Sequence, residues 1–301
     1  MRIQAFSIVV GGKGCNARCP FCVSRMTGTE MVSGIHDSSI ICHRHLVKAV
    51  KFAKMGNVST VLLTGKGEPT LYPYQLTSFI QAIGREFPFI ELQTNGLELG
   101  RLASARGSRL SLEKLGEWGR SGLNTIAISA VSLCSAENSQ VYTESYPDLQ
   151  KTVDYLHQYG FTVRICIMLR RGCIDRPEKL LDVIHQSKEW GIDQLTVRPL
   201  RIPNTSGDTS AERDVLANGL TEEEIVNVVE VVRREGTPLL KLMHGAQVYD
   251  FSGQNICLSD CLTDNGEGEE DVRTLILYPN GELRYDWQYR GAVLLGPEEK
   301  K

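Results

Sequence analysis

Three cysteines lie close together near the N-terminus, directly after an apolar, β-branched segment. Cys15, Cys19 and Cys22 have the spacing Cys-x3-Cys-x2-Cys, and glycines precede the first of them. Three thiolates on one short loop suit a soft metal centre, and glycines let the backbone bend around a bulky group. A structural zinc ion needs four ligands, with His36 or Cys42 as candidates for the fourth. An iron–sulfur cluster normally takes four thiolates, so three would leave one iron with an open coordination site.

A glycine-rich motif with one glutamate follows the next apolar run. It reads Gly65-Lys66-Gly67-Glu68-Pro69 and begins about forty residues after the cysteines. Alone, such a string marks a turn. Because it follows a predicted strand, as the cysteines do, it is also a candidate binding loop.

Polar and charged residues stand at the ends or inside of the later apolar segments. Thr94 and Asn95 close the third predicted strand before a glycine, Ser129 lies in the fourth, and Arg164 and Arg198 lie in the fifth and sixth. Asn-Gly can be a simple turn, and a buried serine can bond within its own sheet. A buried arginine needs an anionic or polar partner. That partner could be the carboxylate of a cofactor, a substrate, or a carboxylate of the protein itself.

Six strand-like segments alternate with helix-like segments between residue 3 and about residue 200. The strands are predicted at Ile3–Val10, Val58–Thr64, Phe89–Thr94, Asn124–Val131, Phe161–Leu169 and Ile192–Arg198. The helices are predicted at Ile40–Met55, Tyr74–Phe87, Leu110–Gly119, Pro147–Tyr159 and Pro177–Trp190. Apolar strands separated by helices indicate a parallel sheet buried on both faces. Six units are fewer than the eight of a closed barrel, so we predict an α/β fold with a partial (β/α)6 barrel. Ligands bind such sheets at the carboxyl ends of the strands.

These loops and this strand pattern resemble the radical S-adenosylmethionine (SAM) superfamily over roughly residues 3–200. That superfamily has a Cys-x3-Cys-x2-Cys loop after the first strand of a partial barrel and a Gly-Gly-Glu-Pro motif after the second. The resemblance implies that Cys15, Cys19 and Cys22 bind a [4Fe-4S] cluster, whose fourth iron is chelated by SAM. It implies an oxygen-sensitive enzyme in which cluster reduction cleaves SAM to methionine and a 5′-deoxyadenosyl radical that abstracts hydrogen from a substrate.

The resemblance also implies which residues bind SAM. The aromatic residue before the third cysteine would lie near the adenine, and the second motif would meet the amino group. The residues implied in this way are Phe21, Gly65, Gly67, Glu68, Pro69, Thr94, Asn95, Ser129, Arg164 and Arg198. The chain departs from the superfamily pattern at Lys66, where a glycine should stand.

The pattern changes after Pro203, which suggests a barrel core over residues 1–203 and an extension over residues 204–301. In the extension we predict a helix at Thr221–Glu235, an irregular acidic stretch at Gly253–Asp271 and a β-hairpin over Thr274–Trp287. The hairpin is indicated by an Asn-Gly turn between two alternating segments. We expect this extension to pack on the barrel.

Cys257 and Cys261 raise the question of a second cluster. Larger relatives in the superfamily carry auxiliary iron–sulfur clusters in such extensions, and four thiolates would normally be required. The extension has only these two cysteines. We therefore predict a single cluster, with Cys257 and Cys261 as structural or substrate-proximal thiols.

The composition is that of a globular chain. Of 301 residues, 42% are hydrophobic and 23% charged, which excludes a disordered chain. The formal net charge of −3 disfavours a general polyanion-binding surface. Nine cysteines, an odd number, argue against a disulfide framework. The N-terminus lacks signal-peptide features and no apolar run approaches the roughly 18 residues of a membrane helix, so we expect a cytoplasmic protein.

The substrate is the least constrained feature of the sequence. We expect a small molecule or a peptide side chain, with an electron donor such as flavodoxin or ferredoxin as partner. One alternative is a superfamily enzyme that acts on a nucleotide or a tRNA base. An alternative of another class is a non-catalytic zinc or iron–sulfur protein, with a structural or electron-transfer role.

Overall fold

A parallel sheet forms the centre of the molecule, as the sequence predicts. The computed structural model describes residues 2–39, 41–142, 145–242, 245–259 and 271–298. Six strands run parallel and lie side by side in chain order, which confirms the α/β class and the partial (β/α)6 barrel. They are β1 (Ile3–Val9), β2 (Thr60–Thr64), β3 (Phe89–Thr94), β4 (Thr125–Ala130), β5 (Thr162–Leu169) and β6 (Gln194–Pro199).

Helices connect these strands and cover the sheet. They are α1 (Val23–Met26), α2 (His43–Met55), α3 (Pro73–Ile83), α4 (Leu97–Ala103), α5 (Leu112–Arg120), α6 (Ser135–Tyr142), α7 (Leu149–Gln158) and α8 (Pro177–Glu189). Their ends differ from the predicted ones by a few residues, because side-chain caps decide where a helix begins. Ser111 accepts a hydrogen bond from the backbone N–H of Lys114 at the start of α5, and Asp148 caps α7 in the same way. The short helices α1, α4 and α6 were not predicted.

The C-terminal residues extend both edges of the barrel sheet. They form α9 (Thr209–Asn218), α10 (Glu222–Glu235), β7 (Thr237–Lys241), β8 (Gln247–Phe251), β9 (Gln254–Leu258), β10 (Val272–Leu277), β11 (Leu283–Arg284) and β12 (Val293–Leu295). Strand β10 pairs in parallel with β1, and β9 pairs in parallel with β6. The sheet therefore has twelve strands in the described residues, in the order β12-β11-β10-β1-β2-β3-β4-β5-β6-β9-β8-β7.

The stretch predicted as irregular from residue 253 begins instead with a regular strand. Residues Gln254–Leu258 form β9, so that part of the prediction is wrong. A tight turn at Ser252 and Gly253, both with positive φ of 52° and 87°, joins β8 to β9 as an antiparallel hairpin. Residues 260–270, including Cys261, lie outside the described residues.

The predicted Asn-Gly hairpin is present with a shorter second strand. Gly281 has a φ of 85°, which the turn between β10 and β11 requires, and these two strands are antiparallel. Behind Gly281 lie the side chains of Cys42 and His45, each 3.1 Å from where a Cβ would stand. In the described residues, no helix is long and apolar enough to cross a membrane.

Candidate active site

The cysteine loop lies where β1 ends, and three neighbouring segments hold it. The backbone N–H of Glu68 donates to the carbonyl of Gly14 at 2.9 Å, and the N–H of Arg18 donates to the carbonyl of Tyr142 at 2.9 Å. The Asn95 amide donates to Asn16 Oδ1 at 2.8 Å. The ends of β2, β3 and α6 therefore fix the loop before any ligand binds.

Gly67 permits the close approach of the second motif to this loop. A Cβ at Gly67 would lie 2.1 Å from the carbonyl oxygen of Gly14, which is backbone and cannot rotate away. A residue with a side chain would push the two loops apart. The Gly-x-Gly-Glu-Pro string is therefore more than a surface turn, because its second glycine lies directly on the cysteine loop.

The three thiols interact electrostatically with one another. Burial, and then the sulfurs of Cys22 and Cys15, raise the pKa of the Cys19 thiol well above its usual value. The three Sγ atoms are not all within 4.8 Å of one another. By contrast, the possible ligand atoms of Cys42, His45 and Glu298 all lie within that distance of one another. Ligand sulfurs on one zinc ion lie about 3.8 Å apart, given Zn–S bonds of roughly 2.3 Å. In the described residues, a four-ligand set of the kind that holds a structural zinc ion is therefore not assembled around these thiols.

Glu68 joins the second motif to the end of β3. Its side chain is only 3% exposed. One oxygen accepts hydrogen bonds from the Thr70 N–H (3.0 Å), the Thr70 hydroxyl (2.7 Å) and the Thr94 hydroxyl (2.6 Å). The other oxygen accepts from the Asn95 N–H at 2.8 Å. Burial raises the pKa of Glu68 above its usual value, while these bonds act in the opposite direction.

The predicted residues on β3 and β4 are brought together by a tyrosine that the sequence did not single out. The Tyr146 hydroxyl lies 3.0 Å from the carbonyl of Asn95 and 3.1 Å from that of Ser129. Asn95 also points its amide toward Cys15 Sγ, at 3.8 Å. Asn95 thus lies beside the cysteine loop, and Tyr146 links the Asn95 backbone to that of Ser129.

Phe21 packs among two other groups next to the cysteines. Its ring meets that of Tyr142 edge to face at 6.2 Å between centroids. The guanidinium of Arg170 lies 5.9 Å from the Phe21 centroid. Phe21 thus presents an aromatic ring next to the cysteines of the cysteine loop.

The arginines of the fifth and sixth strands differ in their partners. Arg164 forms an ion pair with Glu91 on β3, and both side chains are largely buried. The sequence left three possible partners for Arg164: a cofactor carboxylate, a substrate or a carboxylate of the protein. In the structure its partner is a carboxylate of the protein, Glu91. Arg198 on β6 is half-buried and has no ion pair with another described residue, and its Nε is buried without a hydrogen-bond partner.

Lys66, the departure from the superfamily pattern, is buried. Its side chain is 7% exposed, and its ammonium donates to the Thr27 hydroxyl at 2.6 Å. It also lies 5.5 Å from the centre of the Trp287 ring. Burial lowers the pKa of Lys66 to about 8, while the Cys22 thiol and Glu30 act in the opposite direction.

The sequence model of the radical SAM superfamily matches residues 9–197. That match covers more than half of the chain, so the chain belongs to the radical SAM superfamily and is one of its enzymes. The resemblance read from the cysteine loop and the second motif is therefore confirmed. Membership implies SAM and an iron–sulfur cluster as cofactors. No curated protein sequence matches the chain.

Solved structures of low identity share the fold. SuiB from Streptococcus suis bound to S-adenosylmethionine matches with a TM-score of 0.58 and 14% identity, over 98% of this chain and 63% of SuiB. SuiB bound to its precursor peptide SuiA matches with a TM-score of 0.56 and 15% identity, over 94% of this chain and 59% of SuiB. Native anSMEcpe with bound AdoMet matches with a TM-score of 0.55 and 12% identity, over 95% of this chain and 75% of anSMEcpe. This chain thus spans about three fifths of the length of SuiB.

Three residues of this region were not predicted as functional from the sequence. Asn16 and Tyr146 bond to Asn95, and Lys66 was noted only as a departure from the family pattern. Asn16 could have been found, because it stands inside the cysteine loop. The contacts of Tyr146 join residues about 50 positions apart, and no local pattern reveals them.

Proposed function

We propose that Cys15, Cys19 and Cys22 bind one [4Fe-4S] cluster at which SAM is reductively cleaved. The single observation that carries this proposal is the fixed cysteine loop, which lies directly on Gly67 and is hydrogen-bonded to the backbone of Glu68. The donor set of three thiols fits an iron–sulfur cluster with one open iron. When bound, the cluster and SAM supply an electron and a 5′-deoxyadenosyl radical that takes a hydrogen atom from the substrate.

The chain's own residues hold and orient this pair. The three thiols would lose their protons on binding iron. Asn95 and Asn16 keep the loop in place, and Glu68 fixes the ends of β2 and β3 against it. Phe21, Ser129 and the backbone of Gly65 and Pro69 are proposed to contact SAM, as the resemblance implies.

We infer a small-molecule or peptide substrate. A cavity of about 520 Å³ lies beside the cysteine loop, which is within the range of small-ligand sites. SuiB, which shares the fold, is solved with a precursor peptide. We propose a flavodoxin or ferredoxin as the electron donor and the cytoplasm as the location.

The second cysteine pair does not change the proposed number of clusters. Cys257 lies buried on β9, and Cys261 lies outside the described residues. Two thiols are fewer than the four that an auxiliary cluster normally takes. One cluster per chain is therefore proposed.

Single substitution of each triad cysteine tests the proposal. Cys15→Ala, Cys19→Ala and Cys22→Ala should each lose most of the bound iron after anaerobic reconstitution, because each removes one of only three protein ligands. Cys134, an exposed cysteine on the described surface, provides the matched control. Iron analysis of Cys134→Ala should equal that of the wild type. Normal iron in Cys19→Ala, or bound zinc in the wild type in place of iron, would overturn the proposal.

A further inference from the structure

The 520 Å³ cavity lies beside the proposed SAM residues and is mostly separate from them. It is lined by the inner faces of β1, β2, β5, β6, β9 and β10. The triad cysteines, Glu68, Thr94 and Asn95 do not line it. Of the proposed cofactor residues, only Gly65, Arg164 and Arg198 do. The cavity is therefore a place for a second ligand next to SAM.

Two cations at this cavity form no direct ion pair with a carboxylate of the described residues, although the Cys22 thiol and Glu30 also act on Lys66. Lys66 donates only to the hydroxyl of Thr27, and Arg198 keeps a buried Nε without a hydrogen-bond partner. Arg164, which also lines the cavity, differs because Glu91 neutralises it. A buried charge without a partner is costly, so the cavity favours a ligand that carries negative charge.

Lys66 adds a feature that the SAM-binding motif does not need. The superfamily pattern has a glycine at this position and meets the SAM amino group with backbone carbonyls. A positive side chain there cannot favour a positive amino group. Its ammonium contacts Thr27 and Trp287, both of which line the cavity.

We propose that the cavity binds an anionic group of the substrate, a carboxylate or a phosphate, through Lys66 and Arg198. This inference rests on the proposed function, because it assigns the substrate class of the same site. Lysine supplies a point charge with three donors, and arginine supplies a fork that matches carboxylate or phosphate oxygens. The Thr27 hydroxyl keeps the lysine in position when the anion is absent.

Anion binding to the SAM-saturated holoenzyme tests the proposal without turnover. Calorimetry would use inorganic phosphate in one arm and succinate in the other, with neutral succinamide as the control ligand. We expect one anion to bind and succinamide not to bind. Stronger binding of phosphate would indicate a phosphate ester as substrate, and stronger binding of succinate would indicate a carboxylate.

Variants then locate the anion. Lys66→Met and Arg198→Met should each weaken binding about tenfold or more, because each removes one charge-assisted hydrogen bond. Lys66→Arg keeps the charge and should retain most of the affinity, which distinguishes loss of charge from misfolding. Lys51→Met, on the exposed face of α2, should bind as the wild type does.

Several results would overturn this inference. They are binding of neither anion by the wild type, unchanged affinity in Lys66→Met, and loss of anion binding when SAM is added. A fall in SAM affinity with no fall in anion affinity in Lys66→Met would also overturn it. Failure of the proposed function is a separate outcome, because it appears as missing iron or missing SAM cleavage, while the same calorimetry on the iron-free wild type and Lys66→Met still measures anion binding.

Discussion

Glu68 shows how one side chain can hold two strand ends and a cofactor loop together. Both carboxylate oxygens accept hydrogen bonds, from Thr70, Thr94 and Asn95. A carboxylate has only acceptors, which suits a place where four donors converge. We infer that Glu68 shapes the site in addition to any contact with SAM.

We predict that Glu68→Gln lowers both stability and SAM affinity. Wherever the amide nitrogen is placed, at least one buried N–H or hydroxyl donor loses its acceptor, which costs about 1–3 kcal/mol. Urea unfolding of the SAM-free protein measures the first effect, and calorimetry on reconstituted protein measures the second. Glu86→Gln, at an exposed ion pair with Lys54, should change neither by more than about 0.5 kcal/mol. Unchanged stability of Glu68→Gln would contradict the role given to its hydrogen bonds.

Lys66 should make stability depend on pH in the alkaline range. Burial lowers the pKa of Lys66 to about 8 in the folded protein, from its ordinary value of 10.5 in the unfolded chain. Between these pH values the unfolded chain binds more protons than the folded one, so the free energy of unfolding rises with pH. Below about pH 8 both states are protonated, and the cost of the buried charge is constant.

Lys66→Met should therefore be more stable than the wild type at pH 7, by up to about 3 kcal/mol. That advantage should shrink as the pH rises from 8 toward 10. Urea unfolding of both proteins without iron, at pH 7, 8.5 and 9.5, measures the difference. Both proteins carry Cys22→Ala in this comparison, because the Cys22 thiol interacts with Lys66. An advantage that is absent, or equal at all three pH values, would argue against a buried charge at Lys66.

At this scale the sequence predicted the residue types and not their contacts. The triad, Gly67 and Glu68 could be predicted because their spacing is local and follows a strand. The pairing of Arg164 with Glu91, and the hydrogen bonds of Tyr146, join distant parts of the chain. Such contacts depend on strand order and on which face each side chain occupies.

At the scale of elements, the C-terminal strands protect the edges of the barrel sheet. Strand β10 pairs with β1, the strand that carries the cysteine loop, and β9 pairs with β6, which carries Arg198. An uncovered parallel strand would expose a row of unpaired backbone groups. The extension therefore supports the site through the two strands at the ends of the barrel core.

We predict that Ile276→Ala lowers the free energy of unfolding by about 2–5 kcal/mol. Ile276 is fully buried on β10 and lies opposite Ser7 of β1. Leu294→Ala on β12, where Leu294 is 46% exposed, should change stability by less than about 1 kcal/mol. Urea unfolding measures both. Equal effects of the two substitutions would mean that β10 is not an integral strand of the sheet.

The six barrel strands and the β10–β11 hairpin could be predicted from the sequence, whereas β7, β8, β9, β12 and the pairing of the extension with the barrel edges could not. Each barrel strand is a local apolar run between helix signals, whereas β9 pairs with β6 across about 60 positions of the chain. The Ser252-Gly253 turn was the available local signal for the β8–β9 hairpin. The boundary between residues 203 and 204 stays a prediction.

At the scale of the whole molecule, the sheet brings two kinds of chemistry to neighbouring places. The cysteine loop and Glu68 lie on one side, at the ends of β1, β2 and β3. The cationic cavity with Lys66 and Arg198 lies beside it. This arrangement places a proposed anionic substrate next to the proposed radical source.

The measurement that tests the account most directly is SAM cleavage by the reconstituted wild-type protein. Reconstitution without oxygen should give brown protein with about four irons per chain. With SAM and a reductant, this protein should release 5′-deoxyadenosine, measured by chromatography. Colourless protein that holds one zinc ion and releases no 5′-deoxyadenosine would contradict the central claim.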